Sequence, residues 1–454
     1  VGRADLEHYE RSIDFRTGLL VRDLLWRTPG GKRVRVHSTR MVSMAERHLA
    51  VMTFEVTLLD THAPVVISSQ ILNRQDGEDE YHVRDAALGE ADPEHDPRKA
   101  SQFEQRVLLP AAQHDHTARG RGDVILGYTC ANSRMTLACG YRHEIETPSR
   151  FTATTEVDAD IAKTVVEAYA EPNVPITITK YVSYHTSTGV PCEELVDRCS
   201  RTLQRASQTG VPALRDEQVD VLDRFWEAAD VEIVGDESAQ QAMRWNLFQL
   251  AQASIKTQEQ GIAAKGVTAG GDDGHYFWDT EVYVVPYLAY TDPIAARKLL
   301  RFRWHMLGAA RRRARELNQD GGLYPWRTIN GEEASAYYAA GTAQYHINAD
   351  VAFALARYLD ATGDVDFLAD EGAEILIETA RLWNDLGFYA NNQSGSFHIH
   401  RVTGPDEYTT VVNDNLYTNV MARFNLRYAA RTVRFLAQWN PEAFVSLQRR
   451  TGLT

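Results

Sequence analysis

The sequence predicts an antiparallel β-sandwich followed by an all-α domain, and three observations carry that reading. Apolar residues alternate with polar ones at period two through much of the first two hundred positions, and the period switches to helical spacing from about Cys192. The helical segments that follow are not interleaved with strand signals, which excludes a Rossmann or TIM-type fold. A chain of 454 residues divides into roughly two to four domains of ordinary size. Hydrophobic residues at 44% and charged residues at 24% exclude disorder or a coiled coil for its bulk.

The strand signals come first. Lys32 to Arg40 alternates Val34 and Val36 with Arg33, Arg35 and His37, the pattern of a half-buried strand. It returns at 50–59, 64–72, 134–146, 151–157 and 176–184, with turns such as TPGGK between the runs. Residues 73–99, carrying QDGEDE and EADPEHDPRK, read as a polar connection between strands. Helical spacing begins with Leu195, Val196, Cys199 and Leu203. Helices are expected near 239–257, 280–290, 292–317, 345–361, 364–386 and 414–438. Asp292-Pro293 opens one of them, and Gly363-Asp364 closes one and starts the next. The expected domains are a sandwich over 1–205, a helical linker over 206–250 and a helical domain over 251–454, whose hairpins stop at Thr454 short of a closed set.

Charge and cysteine usage narrow the partners. Lys and Arg number 48 against 62 Asp and Glu, and the net charge of −14 repels a phosphate backbone, so nucleic acid is not an expected partner. No apolar run approaches the ~20 residues that cross a bilayer, and the opening VGRADLEHYERSIDF lacks the plan of a signal peptide. A soluble, cytoplasmic protein without membrane partners is expected. The four cysteines fit reduced thiols. Cys192 and Cys199 would lie about 10 Å apart on a helix, too far to bridge, whereas Cys130 and Cys139 could meet across a hairpin in an oxidising compartment.

Four segments carry chemistry. GHYFWDTE, Gly274 to Glu281, crowds three aromatic rings, an imidazole and two carboxylates into eight residues behind a glycine-rich lead-in. An aromatic core staple with Asp279 or Thr280 as helix cap would explain part of it. A Trp ring beneath a pyranose, with an adjacent carboxylate accepting from two hydroxyls, explains Trp278 next to Asp279. GPDEY, Gly404 to Tyr408, places Asp406 and Glu407 on a turn, where partial desolvation would let a carboxyl hold a proton near neutral pH. LYPWRTINGEEASAYY supplies Tyr324, Trp326, Arg327, Glu332 and Glu333 in an irregular stretch. QYHINAD sets His346 and Asp350 one helical turn apart, for structural hydrogen bonding or to line a ligand.

GGDDG lacks the ending of a phosphate loop, and the RGD at Arg121 to Asp123 is a chance match. His114 with His116, and His398 with His400, alternate with one residue and so share a side of extended chain. With no partner at a diagnostic spacing they read as ordinary histidines, and no metal site is expected.

GHYFWDTE, YPWRTINGEEASAYY, QYHINADVAFAL, TARLW and GPDEYTTVVNDNLYTNVMA, in this order, resemble glycoside hydrolase family 65, the inverting disaccharide phosphorylases and related hydrolases. The likeness runs over nearly the whole chain. It implies a β-sandwich, a helical linker and an (α/α)6 barrel, here incomplete. It implies Glu407 as general acid, and Trp278, Asp279 and Trp326 around the sugar. Arg327 and Glu333 would shape the acceptor side, and His346 and Tyr408 complete the expected substrate-binding set.

The implied reaction is phosphorolysis of an α-linked glucosyl disaccharide, trehalose first, to β-glucose 1-phosphate. No cofactor is needed; inorganic phosphate is the co-substrate, and a homodimer is one open assembly. A hydrolase of the same fold and a non-catalytic carbohydrate-binding fragment are the alternatives. Two departures stand out. Thr409 occupies a position where the family commonly has His. The Lys-Gln donor clamp and phosphate loops of the family are not found before Thr454, so the 454-residue chain alone is expected to phosphorolyse poorly.

Overall fold

The computed structural model describes residues 5–73, 107–117, 122–255, 257, 261–267, 272–335, 338–390 and 395–454. The polar connection expected after Asn73 and the lead-in of the GGDDG loop fall largely outside them. The chain forms two compact units, Val1–Glu227 and Ala228–Thr454. No helix among the described residues is long and apolar enough to cross a membrane.

The first unit is built on antiparallel strands: β1 (Leu6–Asp14), β2 (Leu19–Arg27), β3 (Arg33–Val42), β4 (Leu49–Leu58), β5 (Ala63–Leu72), β6 (Leu108–Asp115), β7 (Asp123–Cys130), β8 (Thr136–Glu146), β9 (Phe151–Val157), β10 (Ile161–Ala170) and β11 (Ile176–Ser187). Eight pair in the order β1-β2-β3-β4-β11-β8-β7-β6, and β5-β10-β9 form a second sheet. One face of the large sheet packs on the small one: Ile145 and Ile178 meet Val166, with Ile67 and Phe151 alongside. Its opposite face takes helix α1 (Cys192–Thr209), whose Leu195, Val196, Cys199 and Leu203 pack on Val51, Ile125, Ala138 and Tyr181. Strands covered on both faces lose alternation, since both side-chain sets are buried. In β7, Asp123 to Tyr128 are all buried, which is why DVILGYTC carries no period-two signal.

Because α1 belongs to this core, the division between units falls after Glu227, within helix α2 (Val211–Ala229), rather than at a linker starting near residue 206. All four cysteines are free thiols. Register keeps Cys130 opposite Leu108 and Cys139 opposite Leu126, so the hairpin does not bring the two together.

The second unit is helical: α3 (Glu237–Ser254), α4 (Val285–Thr291), α5 (Pro293–His305), α6 (Leu307–Glu316), α7 (Ile347–Thr362), α8 (Ala373–Leu386), α9 (Leu416–Trp439) and α10 (Pro441–Thr451). Side-chain caps set the starts. Asp292 accepts from Ala295 N–H with Pro293 in the first turn, and Asn415 and Asn440 do the same for α9 and α10. Gly363 closes α7, and Asp364 caps the single turn Val365–Phe367. The helix expected over 292–317 divides at Met306, and π-helical turns at Thr280–Val284 and Leu368–Gly372 precede α4 and α8. Leu288, Leu299, Leu300, Leu355, Phe367 and Leu376 form the centre of the core.

Candidate active site

The four motif segments, separated by up to 130 positions, are tied into one assembly of the second unit. Tyr276 and Thr328 exchange backbone hydrogen bonds, 2.7 and 3.2 Å, so the GHYFWDTE segment lies against the YPWRTINGEE segment. Asn348, on the first turn of α7, reaches that second segment through its side chain, accepting from Tyr324 N–H at 2.9 Å and donating to Gly322 O at 2.7 Å. Thr403, just before GPDEY, donates through its backbone to Ala343 O and through its hydroxyl to Ala339 O.

Beneath this assembly lies a buried ion pair. Glu281 and Arg303 have essentially no exposed side chain, and the guanidinium donates twice, Nε to Oε1 at 2.7 Å and Nη2 to Oε2 at 2.9 Å. Tyr276 O–H donates to the same carboxylate at 2.6 Å, and the Tyr276 and Tyr324 rings lie 4.6 and 5.3 Å from the guanidinium carbon. Burial, with Glu281 adding, pushes the Tyr276 phenol well above its ordinary range, so it stays a donor. The pair fixes the π-helical turn that carries Thr280 and Glu281, directly after Trp278 and Asp279.

Glu407 sits at an exposed turn with backbone in the left-handed region, φ 59°. Thr410 donates to its carbonyl at 2.6 Å, Gly404 N–H closes onto Thr409 O at 3.1 Å, and Thr409 O–H donates to Asp406 at 2.9 Å. A Cβ at position 404 would collide with the Thr409 hydroxyl, which explains the glycine. Gln344 Nε2 donates to Glu407 Oε1 and to Ala340 O, both at 2.9 Å. With both amide protons given, Gln344 Oε1 is the acceptor for His346 Nε2 at 3.1 Å.

His346 Nδ1 faces Asp350 Oδ2 at 2.6 Å, and Tyr417 O–H donates to Asp350 Oδ1 at 2.7 Å. Both imidazole nitrogens thus meet side-chain oxygens, which holds the ring at each end. The chain Glu407, Gln344, His346, Asp350, Tyr417 is one polar network running from a surface carboxylate to a buried pair.

Aromatic rings flank that network. Trp278 stands edge-on to His346 at 4.9 Å, and Tyr417 does so at 5.5 Å. Trp326 meets Phe277 edge-on at 5.1 Å and packs so closely on Gly341 that a Cβ there would lie 2.6 Å from its ring. Asp279 follows Trp278, and partial burial, with Glu281 adding, holds its carboxyl above the usual range.

The expected residues divide by what their atoms already do. Trp278, Trp326 and Glu407 are joined to this network directly or through Gly341. His346, expected to touch ligand, has no exposed surface; its bonds position Gln344 instead. Glu333 is similarly committed: its carboxylate accepts from the N–H groups of Trp326, Arg327 and Ser335 and pairs with Arg313. Arg327 donates to Ala334 O and Asp272 O and contacts His275, binding two loops together. Tyr408 is 97% exposed. Sequence reasoning missed Gln344 and Tyr417, although both lie inside the motifs it singled out. A concavity lined by His8, Asp23, Arg35 and His37 belongs to the first unit and contains none of these residues.

A sequence model of glycosyl hydrolase family 65, N-terminal domain, matches residues 1–225, and one of the glycosyl hydrolase family 65 central catalytic domain matches 244–448. An alpha,alpha-trehalose phosphorylase of Thermoanaerobacter brockii is 38% identical over 98% of this chain and 55% of its own length. An uncharacterized glycosyl hydrolase of Mycobacterium tuberculosis is 41% identical over 94% of this chain and 52% of its own. A solved structure, described as a candidate kojibiose phosphorylase from human microbiome, superposes with a TM-score of 0.84 at 24% identity, over 99% of this chain and 55% of that one. The chain thus spans about half the length of the curated relatives it matches.

Proposed function

Because the chain belongs to glycosyl hydrolase family 65, we propose that it carries the acid half of an inverting disaccharide phosphorylase site, with Glu407 as general acid. The observation that supports this most is the grip on Glu407: Gln344 fixes Oε1, which leaves Oε2 to carry a proton toward a leaving group. In the reaction proposed, a phosphate oxygen bonds to the anomeric carbon from the face opposite the leaving group. The glycosidic C–O bond breaks as Glu407 gives its proton to the departing oxygen, yielding β-glucose 1-phosphate and free sugar. Phosphate arrives as an anion, so no second carboxylate is needed to activate a nucleophile. Trp278 would offer its ring to the sugar's C–H face and Asp279 would accept from its hydroxyls. Trp326 and Tyr408 would add apolar surface.

Trehalose is the substrate proposed. The similarity to a trehalose phosphorylase and the YPWRTINGEEASAYY segment support that choice. The test is release of glucose 1-phosphate from trehalose, and from kojibiose in parallel, by an enzyme containing this chain, with phosphate varied. Product should require phosphate and form from trehalose. Glu407→Gln should lower kcat by about 10² to 10⁴ with little change in KM. Near wild-type turnover in that variant overturns the acid assignment, and phosphate-independent glucose release identifies a hydrolase instead.

A further inference from the structure

The His398-Ile399-His400 segment was set aside in the sequence because nothing near it offered a third ligand; the fold supplies one. Residues 398–401 run beside 411–414, joined at the Val402–Val412 bridge, and this brings Asp414 to the two imidazoles. Asp414 Oδ2 lies 2.9 Å from His398 Nδ1 and 3.7 Å from His400 Nε2, and one donor atom from each of the three lies within 4.8 Å of the others. Donors bonded at about 2.0 to 2.1 Å to one tetrahedral ion sit roughly 3.3 Å apart, so the observed spacings bracket what an ion requires.

The donors are also held from behind. Asp414 Oδ1 accepts from Ile399 N–H at 3.1 Å and Asp414 N–H donates to Ile399 O at 2.8 Å, which fixes the carboxylate with Oδ2 toward the histidines. The Phe388 ring stacks on His398 at 5.9 Å and stands edge-on to His400 at 4.8 Å, restraining both imidazoles. Such support of ligand orientation is characteristic of metal sites.

We propose that His398, His400 and Asp414 form a binding site for a borderline divalent transition ion of the zinc class, with an exposed fourth position for water. Two imidazole nitrogens and one carboxylate oxygen favour zinc or cobalt over calcium or magnesium, which take oxygen sets. The site spans the neck of the 401–413 excursion that presents Glu407, so a bound ion would clasp the two strands of that loop. It is distinct from the proposed reaction chemistry, and its test does not depend on turnover.

The full chain, stripped with a chelator and dialysed, is titrated calorimetrically with Zn²⁺, and with Co²⁺ while visible absorption is recorded. One equivalent should bind with a dissociation constant in the micromolar range or tighter, with cobalt bands of tetrahedral intensity. His400→Ala and Asp414→Asn should each weaken binding at least tenfold; both positions are over one-third exposed, so the fold should survive and circular dichroism checks it. His114→Ala, in the other paired-histidine segment, should leave the affinity unchanged. No saturable binding below about 1 mM, or binding that both variants retain in full, overturns the proposal.

Discussion

The two units bury polar groups in opposite ways. Apart from Asp123, which pairs with the part-exposed Arg142, the first buries them largely neutral: His143 between the two sheets and His185 beneath α1 have their pKa values pushed down to about 3 and about 4, chiefly by desolvation. The buried thiols of Cys139 and Cys199 are pushed up, to about 11 and about 12, for the same reason. The second unit buries ions in pairs. Glu281 holds Arg303, Glu371 accepts three hydrogen bonds from Arg301, and Glu374 and Glu378 share Arg311 while Arg450 and Arg381 reach them from outside. A sandwich needs only its layers filled, which neutral polar groups allow. Loops that must converge from distant positions need directional fixing, and bidentate charge pairs supply it.

The largest test of that contrast is the Glu281–Arg303 pair. Glu281→Gln leaves a buried guanidinium short of its anion, and breaking a fully buried pair typically costs about 3–5 kcal/mol. The nearest counterpart in the first unit is Asp123, which accepts from Arg142 at 2.6 Å and from Ser200 at 2.7 Å. Arg142 keeps 22% of its side chain in solvent, so Asp123→Asn should cost less, about 1–3 kcal/mol. Urea denaturation of both variants, with the two units' transitions followed separately, decides it. Equal losses would remove the distinction.

Next in size is Gln344. If the polar network exists to place Glu407, Gln344→Ala should lower kcat about ten- to hundredfold while KM changes little, the signature of a misplaced catalytic group. An increase in KM with kcat preserved would make Gln344 part of ligand binding rather than of acid positioning.

The fold was legible wherever one face of an element met solvent. The strands from Arg33 to Val42 and from Phe151 to Val157 alternate because one side stays partly wet; β7 was hidden because α1 covers its second face. Capped helix starts at Asp292 and Asp364 were visible since the caps are local. The site was legible as motifs and not as roles. The resemblance separated Glu407 as acid from Glu333 on the acceptor side, but local sequence does not show that the Glu333 carboxylate is spent on three backbone N–H groups while that of Glu407 meets one amide and solvent. Likewise His398 and His400 read as unpartnered because Asp414 joins them only through a backbone excursion.

The smallest expected effect belongs to the neutral interior of the first unit. An unfolded histidine titrates near 6.5. His143, desolvated and facing Lys180, titrates near 3 in the folded chain, with Nε2 bonded to Ser69 at 2.9 Å and its ring 4.6 Å from Tyr141. Between those values the unfolded chain takes up a proton that the native state refuses, so stability rises with pH across the window. Its contribution is full above about 6.5 and is lost as pH falls, at a rate approaching about 1.4 kcal/mol per pH unit for that one group. His143→Gln keeps a hydrogen-bonding side chain for Ser69 and removes the titration. The first unit's stability, measured by denaturation between pH 6.5 and 4.5, should therefore fall less steeply in the variant than in the parent chain, even if its absolute value is lower. Parallel curves would mean that His143 is protonated in the folded sheet, and the contrast between a neutral sandwich and a paired-ion helical unit would fail there.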